Sequence, residues 1–215
     1  MIAAVVFDAF GTIVRIGQRT NPYRELIREG RRQGLALSAA SAHIPMTKNL
    51  SLEGMASSLG ISLTISKRDE LYRKLEIEVS SIEPYQDAVQ AISLLKRAGI
   101  KTGVCSNLAS PYGPKVREIF PNMDGYAFSY EVGVMKAAPG IYRSICAQMN
   151  VEPGHYFNDK IGRVFMIGDS QRCDRDGPRA AGVIGFHLDR TGHGQIHDLV
   201  QFAQMVIVNN HTTGR

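Results

Sequence analysis

The sequence predicts an α/β protein, a doubly wound parallel sheet with a helical insertion after its first strand. Three observations carry this: short apolar runs recur along the chain, amphipathic helical segments fill the gaps between them, and one long stretch shows helical periodicity only. Ile2 to Phe7 is a continuous apolar, β-branched run, as in a strand buried on both faces. The pattern recurs at Ile100 to Cys105, Arg163 to Ile167 and Val183 to His187, with a weaker segment from Tyr126 to Val134. Asp87 to Ala98 gathers Ala88, Ala91, Ile92, Leu94 and Leu95 on one side and stops at Gly99, a helix with a glycine C-cap. Pro139 to Met149 and Gln195 to Met205 read as further helices. Strands alternating with helices imply parallel β-α-β units with both sheet faces covered.

From Arg15 to Pro84 the alternation stops and no buried-strand pattern is found. Asn21 followed by Pro22 reads as an N-cap with proline at the first helical position, opening a helix to about Gly34. A second helix is expected after Ser51, and a third from Ser66 through Lys67 to Val79.

Composition excludes several classes. The 215 residues are 44% hydrophobic and 21% charged with no Trp, unlike collagen-like, coiled-coil or disordered chains. The formal net charge of +5 suits an anionic partner. No helix-turn-helix, zinc-finger or aromatic-basic signature accompanies that charge, so nucleic acid is not an expected partner. The first apolar run has no basic residue before it and ends at Asp8, too short for a signal-peptide core or a membrane span. The three cysteines, Cys105, Cys146 and Cys173, form neither a disulfide framework nor a zinc spacing. The expectation is a cytoplasmic protein without a membrane partner. Oligomeric state is not legible.

In parallel sheets ligands bind beyond the carboxyl ends of the strands. There the sequence places Asp8-Ala9-Phe10-Gly11-Thr12, Ser106-Asn107, Lys136, and Gly168-Asp169-Ser170 with Asp174 following. A carboxylate such as Asp8 can act as a covalent nucleophile. Asp8 and Asp169 can hold Mg²⁺, which takes one or two carboxylates plus water and phosphate oxygens. Lys136 offers fixed positive charge, while Ser106 and the backbone amides after it can donate to the oxygens of a transferred group.

Taken in order, these residues resemble the haloacid dehalogenase (HAD) superfamily of hydrolases over nearly the whole chain. Its phosphatase motif D-x-D-G-T appears as Asp8-Ala9-Phe10-Gly11-Thr12, and its serine or threonine after a strand as Ser106. Its lysine motif appears as Lys136-Ala137-Ala138-Pro139, and its acidic motif as Gly168-Asp169-Ser170 with Asp174 and Gly177. The resemblance implies a Rossmann-like core over 1–14 and 85–215 and a helical cap domain over 15–84. It implies Asp8 as the nucleophile, with Ser106 and Lys136 assisting. Mg²⁺ would be held by Asp8, the backbone carbonyl of Phe10 and Asp169, with Asp174 an outer-shell or additional ligand. Gly11, Thr12, Ser106, Asn107 and Lys136 would bind the transferred group.

Phe10 departs from the pattern. The family's phosphatases carry there an aspartate that protonates the leaving alcohol and activates water, a contribution of about 10²–10⁴ in rate. Its 2-haloacid dehalogenases commonly carry tyrosine, and halide leaves without a proton. The intact Gly168-Asp169 pair points the other way, because displacing halide needs no metal. The expectation is a Mg²⁺-dependent phosphatase acting on a small phosphorylated metabolite. A 2-haloacid dehalogenase is the alternative, and a catalytically weakened binding or regulatory protein the second alternative.

Each residue has an ordinary explanation when taken alone: Asp8, Ser106 and Asp169 as turn or cap residues, and Lys136 as a solvated side chain. The ordered set is what favours a shared site. Six arginines, Arg15, Arg19, Arg24, Arg28, Arg31 and Arg32, crowd the start of the insertion and read either as anion capture or as a solvated face paired with Glu25 and Glu29. His193 and His197 lack a third ligand for a metal, Cys105 and Cys173 read as packing residues, and so do Tyr72, Tyr85 and Tyr142.

Overall fold

A computed structural model describes residues 1–38, 41, 43–154 and 162–212. Five parallel strands form the main sheet: β1 (Ile2–Phe7), β4 (Lys101–Ser106), β5 (Gly125–Phe128), β6 (Arg163–Gly168) and β7 (Ile184–His187). Their order is β5-β4-β1-β6-β7, so β1 is central and the winding reverses on either side of it. Phe7 pairs with Val104 of β4 and Ile167 of β6, which brings three strand ends to one edge. Successive side chains point to opposite faces. Val5 and Phe7 join the core built on α5 (Gln86–Arg97) and α9 (Leu199–Thr212), while Ala4 and Val6 join the core on α8 (Pro139–Gln148).

Between β1 and α5 the chain leaves the sheet through a two-stranded antiparallel ribbon of β2 (Val14–Ile16) and β3 (Ile82–Pro84). The sequence reading found no strand here, because three-residue strands are too short to show a period. The ribbon encloses α1 (Pro22–Arg32), α2 (Ile44–Thr47), α3 (Leu52–Ser58) and α4 (Ile65–Ser80). Leu26, Leu52, Met55 and Leu71 are fully buried among them.

Several helix starts differ from expectation for identifiable reasons. Asn21 does not cap α1 with its side chain; it sits in the left-handed region at φ 52°. The α4 cap is Thr64, not Ser66, its hydroxyl accepting from the Lys67 amide. The last helix starts at Leu199 rather than Gln195, because the Asp198 carboxylate accepts from the Val200 and Gln201 amides. Tyr126 to Val134 divides into β5 and a single helical turn, α7 (Ser129–Val132), ended by Gly133 at φ 80°. After β6 the chain forms a π-type turn (Gln171–Asp176) and a 3₁₀ turn (Gly177–Ala181), with Pro178 in the latter's first turn. Among the described residues no helix is long and apolar enough to cross a membrane.

Candidate active site

Asp8 follows β1, Ser106 ends β4 and Asp169 follows β6, so strand pairing alone brings three functional groups to one edge. Lys136 arrives from the loop after α7. Asn107 fixes it there: its amide donates to the Lys136 carbonyl at 3.1 Å, and its side-chain oxygen accepts from the Lys136 amide at 2.7 Å. The Lys136–Ala137 peptide is cis.

The Lys136 ammonium donates to Asp8 Oδ1 at 2.5 Å and to Asp174 Oδ1 at 2.7 Å. The Ser106 hydroxyl donates to Asp8 Oδ1 at 3.0 Å. All four side chains are buried. Burial opposes the Lys136 charge, but Asp8 and Asp174 more than offset it and hold the ammonium above the ordinary lysine range. Burial and the charge of Asp8 push the Asp174 carboxyl upward, with Lys136 pulling the other way. Removing one partner of such a buried pair typically costs about 3–5 kcal/mol.

The π-type turn directs Asp174 back at the end of β6, where its second oxygen accepts from the Ser170 amide at 2.9 Å. Both Asp174 oxygens therefore have protein donors. Asp169 differs. It is exposed, and no other described residue donates to its carboxylate, whose pKa partial desolvation and Asp8 push upward. Ligand oxygens of Asp8, Asp169 and Asp174 lie within 4.8 Å of one another. The Phe10–Val14 bridge is closed by Gly11 N–H to Val14 O and Val14 N–H to Ala9 O, leaving the Phe10 carbonyl out of it. An exposed carboxylate beside a buried one suits a small hard cation. Among the described residues this is the one acidic cluster with metal-holding geometry, and His193 and His197 are not in it.

Gly11 stands at φ 84°, and a Cβ there would overlap the Asp169 carboxylate. Only glycine meets both demands. Thr12 is fully buried; its hydroxyl approaches Asp8 Oδ2 at 3.5 Å and accepts from the Asp169 amide at 3.2 Å. Gly11 and Thr12 thus hold this loop against Asp169. The amides after Ser106 are not all free either, because Leu108 N–H donates to the Ser129 hydroxyl at 3.1 Å.

The Phe10 side chain turns away from this centre and meets Tyr112 edge-on, with ring centroids 5.8 Å apart. Both line a cavity of about 280 Å³ that also reaches Asn107 and the start of α1.

Several residues escaped the sequence reading. Arg190, just beyond β7, donates to the Gly11 carbonyl at 3.2 Å and the Thr12 carbonyl at 2.6 Å, and bonds both oxygens of Asp87. Its guanidinium lies 3.9 Å over the Tyr85 ring. The available signal was its place beyond the carboxyl end of a strand. Glu78 is buried in α4 and accepts from the Thr20 and Asn21 amides and the Tyr112 hydroxyl. Nothing in the sequence distinguishes Glu78 from the solvated acids around it. Tyr142 packs as expected and also donates to the Cys173 carbonyl at 2.6 Å.

Comparison with known proteins agrees with this architecture. A HAD phosphatase from Thermococcus onnurineus aligns with TM-score 0.63 at 20% identity, covering 95% of this chain and 98% of its own. A 2-haloacid dehalogenase from Pseudomonas syringae pv. tomato aligns with TM-score 0.65 at 13% identity over 98% and 100%. A HAD-family enzyme from Bacteroides thetaiotaomicron, in complex with magnesium and inorganic phosphate, aligns with TM-score 0.59 at 14% identity over 92% and 98%. At such identities these likenesses establish the fold alone. No curated protein matches the chain. The model of the haloacid dehalogenase-like hydrolases matches residues 2–182, most of the chain, and the protein belongs to that family.

Proposed function

We propose that the protein is a Mg²⁺-dependent phosphohydrolase that works through an aspartyl intermediate on a small phosphorylated metabolite. The observation that carries this reading is the exposed Asp169 carboxylate, to which no other described residue donates, beside an Asp8 already held by Lys136 and Ser106. Helices α1 to α4 serve as the cap over this centre.

In this scheme Ser106 and Lys136 fix Asp8 through Oδ1, and a carboxylate oxygen attacks phosphorus. An Asp8–phosphorus bond forms as the bond to the leaving oxygen breaks, and that oxygen departs with the electron pair. Lys136 balances negative charge on the transferred group, and Ser106 can turn its hydroxyl toward an equatorial oxygen. Water then attacks phosphorus, releasing phosphate and restoring Asp8. Bound Mg²⁺ would be held by Asp8, Asp169 and the Phe10 carbonyl, and would screen the repulsion between Asp8 and a phosphate dianion. Phe10 can neither donate nor accept a proton, so both proton steps fall to solvent and turnover is slow.

One observation favours a second reading, a 2-haloacid dehalogenase: Phe10 presents an aromatic wall to an apolar cavity, and halide departs without a proton. A screen of phosphate esters against 2-chloroacids, with and without EDTA, separates the two. EDTA-sensitive phosphate release is the expected result. Chelator-resistant chloride release would replace the first reading with the second.

A further inference from the structure

Asp169 stands at the rim of the centre with its side chain exposed, and no other described residue donates to its carboxylate. The place of that carboxylate therefore depends on the backbone that carries it. This backbone is held at both of its polar groups. The Asp169 amide donates to the Thr12 hydroxyl at 3.2 Å, and the Asp169 carbonyl lies 3.1 Å from Nε2 of His187. A carbonyl oxygen only accepts, so Nε2 carries the hydrogen and the imidazole is the donor.

His187 ends β7, and strand register explains its reach. Gly168, the last residue of β6, pairs with His187, and the Leu188 amide donates to the Gly168 carbonyl at 2.8 Å. The ladder thus fixes the His187 backbone beside the residue before Asp169, and the ring spans the remaining step. Water satisfies a carbonyl at an open strand end nearly as well as a side chain does, so this donor contributes placement more than stability. From the other side Gly11 comes so close that a Cβ there would overlap the Asp169 carboxylate. Asp169 is thereby held between the loop after β1 and the end of β7. Such placement matters most to Mg²⁺, which demands near-ideal octahedral geometry, whereas Ca²⁺ accepts a flexible set of oxygens at longer distances.

We propose that His187 is a positioning residue for the cation: by holding the Asp169 carbonyl it sets where the Asp169 carboxylate is presented, and so favours Mg²⁺ over a larger divalent ion. This rests on the reading of the Asp8 centre given above, in which Asp169 is a ligand of the ion.

Calorimetric titration of Mg²⁺ and, separately, of Ca²⁺ into the full chain tests it without turnover. His187→Phe and His187→Leu each keep an apolar body and remove the donor. Either is expected to weaken Mg²⁺ binding about tenfold, as loss of a partner behind a metal ligand typically does, and Ca²⁺ binding distinctly less. His187→Gln should restore Mg²⁺ affinity to within about threefold, because its amide nitrogen can take the place of Nε2. Asp169→Asn, which removes the ligand charge itself, should weaken both ions. If the two donorless variants keep Mg²⁺ affinity while Asp169→Asn loses it, His187 has no positioning role and the reading of the Asp8 centre stands. Equal losses for both ions without rescue by glutamine would also overturn the proposal, since general disruption of the strand end predicts that pattern. If Asp169→Asn binds Mg²⁺ as the native protein does, both readings fall together.

Discussion

Replacing Arg190 with alanine should destabilise the protein by about 2–4 kcal/mol, taking about 1.5–3 kcal/mol for a hydrogen bond to a charged group and discounting for relaxation. Arg190 serves two carbonyls of the loop behind Asp8 and both oxygens of Asp87, with its side chain only 24% exposed and that of Asp87 14%. Asp87 also accepts from the Leu199 amide at 3.0 Å, so the loss spreads to the start of α9. For a chain of this size each kcal/mol shifts the melting temperature by about 2–4 °C. Urea denaturation at constant m-value gives the stability, and a double-mutant cycle with Asp87→Ala should return a coupling of at least about 1 kcal/mol. Mg²⁺ affinity should fall as well, because the tethered Gly11 lies against Asp169. A loss below about 0.5 kcal/mol, the range of ordinary surface substitutions, would refute the claim that this guanidinium ties the loop to two helices.

Three further outcomes are expected. Asp169→Asn should weaken Mg²⁺ binding at least about tenfold by calorimetry, since the ion draws on only one or two carboxylates; equal affinity would advance the dehalogenase reading. Phe10→Asp should raise alkyl phosphate hydrolysis by about 10²-fold or more and flatten the steep advantage of aryl over alkyl phosphates expected of the native enzyme, measured by steady-state phosphate release. Burial pushes the Cys146 thiol up from 9.0 to about 11, so its contribution to stability is complete below pH 9 and is lost as pH rises through 11. The stability gap between native protein and Cys146→Ala should therefore narrow between those pH values in urea titrations.

The sheet was legible because buried strands write continuous apolar runs, and Ile2 to Phe7 lies at its centre with β4 and β6 on either side. The residues at the strand ends were legible for the same reason, since position after a strand fixes where a side chain emerges. Asp8, Ser106, Lys136, Asp169 and Asp174 come together as the motif order requires. What escaped is what depends on long-range partners. Arg190 acts on a loop 178 residues earlier through the Thr12 carbonyl. Glu78 sits among acids and lysines that look alike in sequence, and only folding shows that it alone is buried against Thr20 and Asn21. Asn21-Pro22 carries a sound helix-start signal, yet the Asn21 side chain caps no helix amide, and Glu78 instead holds the turn by accepting from the Asn21 amide itself.

Charge in the candidate active site bears most directly on the choice between phosphate and haloacid chemistry. Three carboxylates, Asp8, Asp169 and Asp174, face one ammonium, that of Lys136, leaving two formal negative charges. A haloacid would approach that centre as an anion while the Asp169 carboxyl is already pushed upward by partial burial and by the charge of Asp8, with Lys136 opposing only in part. A divalent cation removes the deficit in one step and leaves Lys136 free to balance the incoming group. Asp174 is the less suited of the remaining acids to bind that ion directly, because Lys136 and the Ser170 amide already take its two oxygens. Phe10 alters none of this electrostatics, since its aromatic ring points into the cavity and only its backbone stays beside Asp8. On the proposed reading, the replacement at position 10 would separate two tasks that a single aspartate would combine, leaving a backbone carbonyl for a cation and removing the proton relay. On the phosphohydrolase reading proposed above, that separation would give slow hydrolysis at a site that still holds its cation.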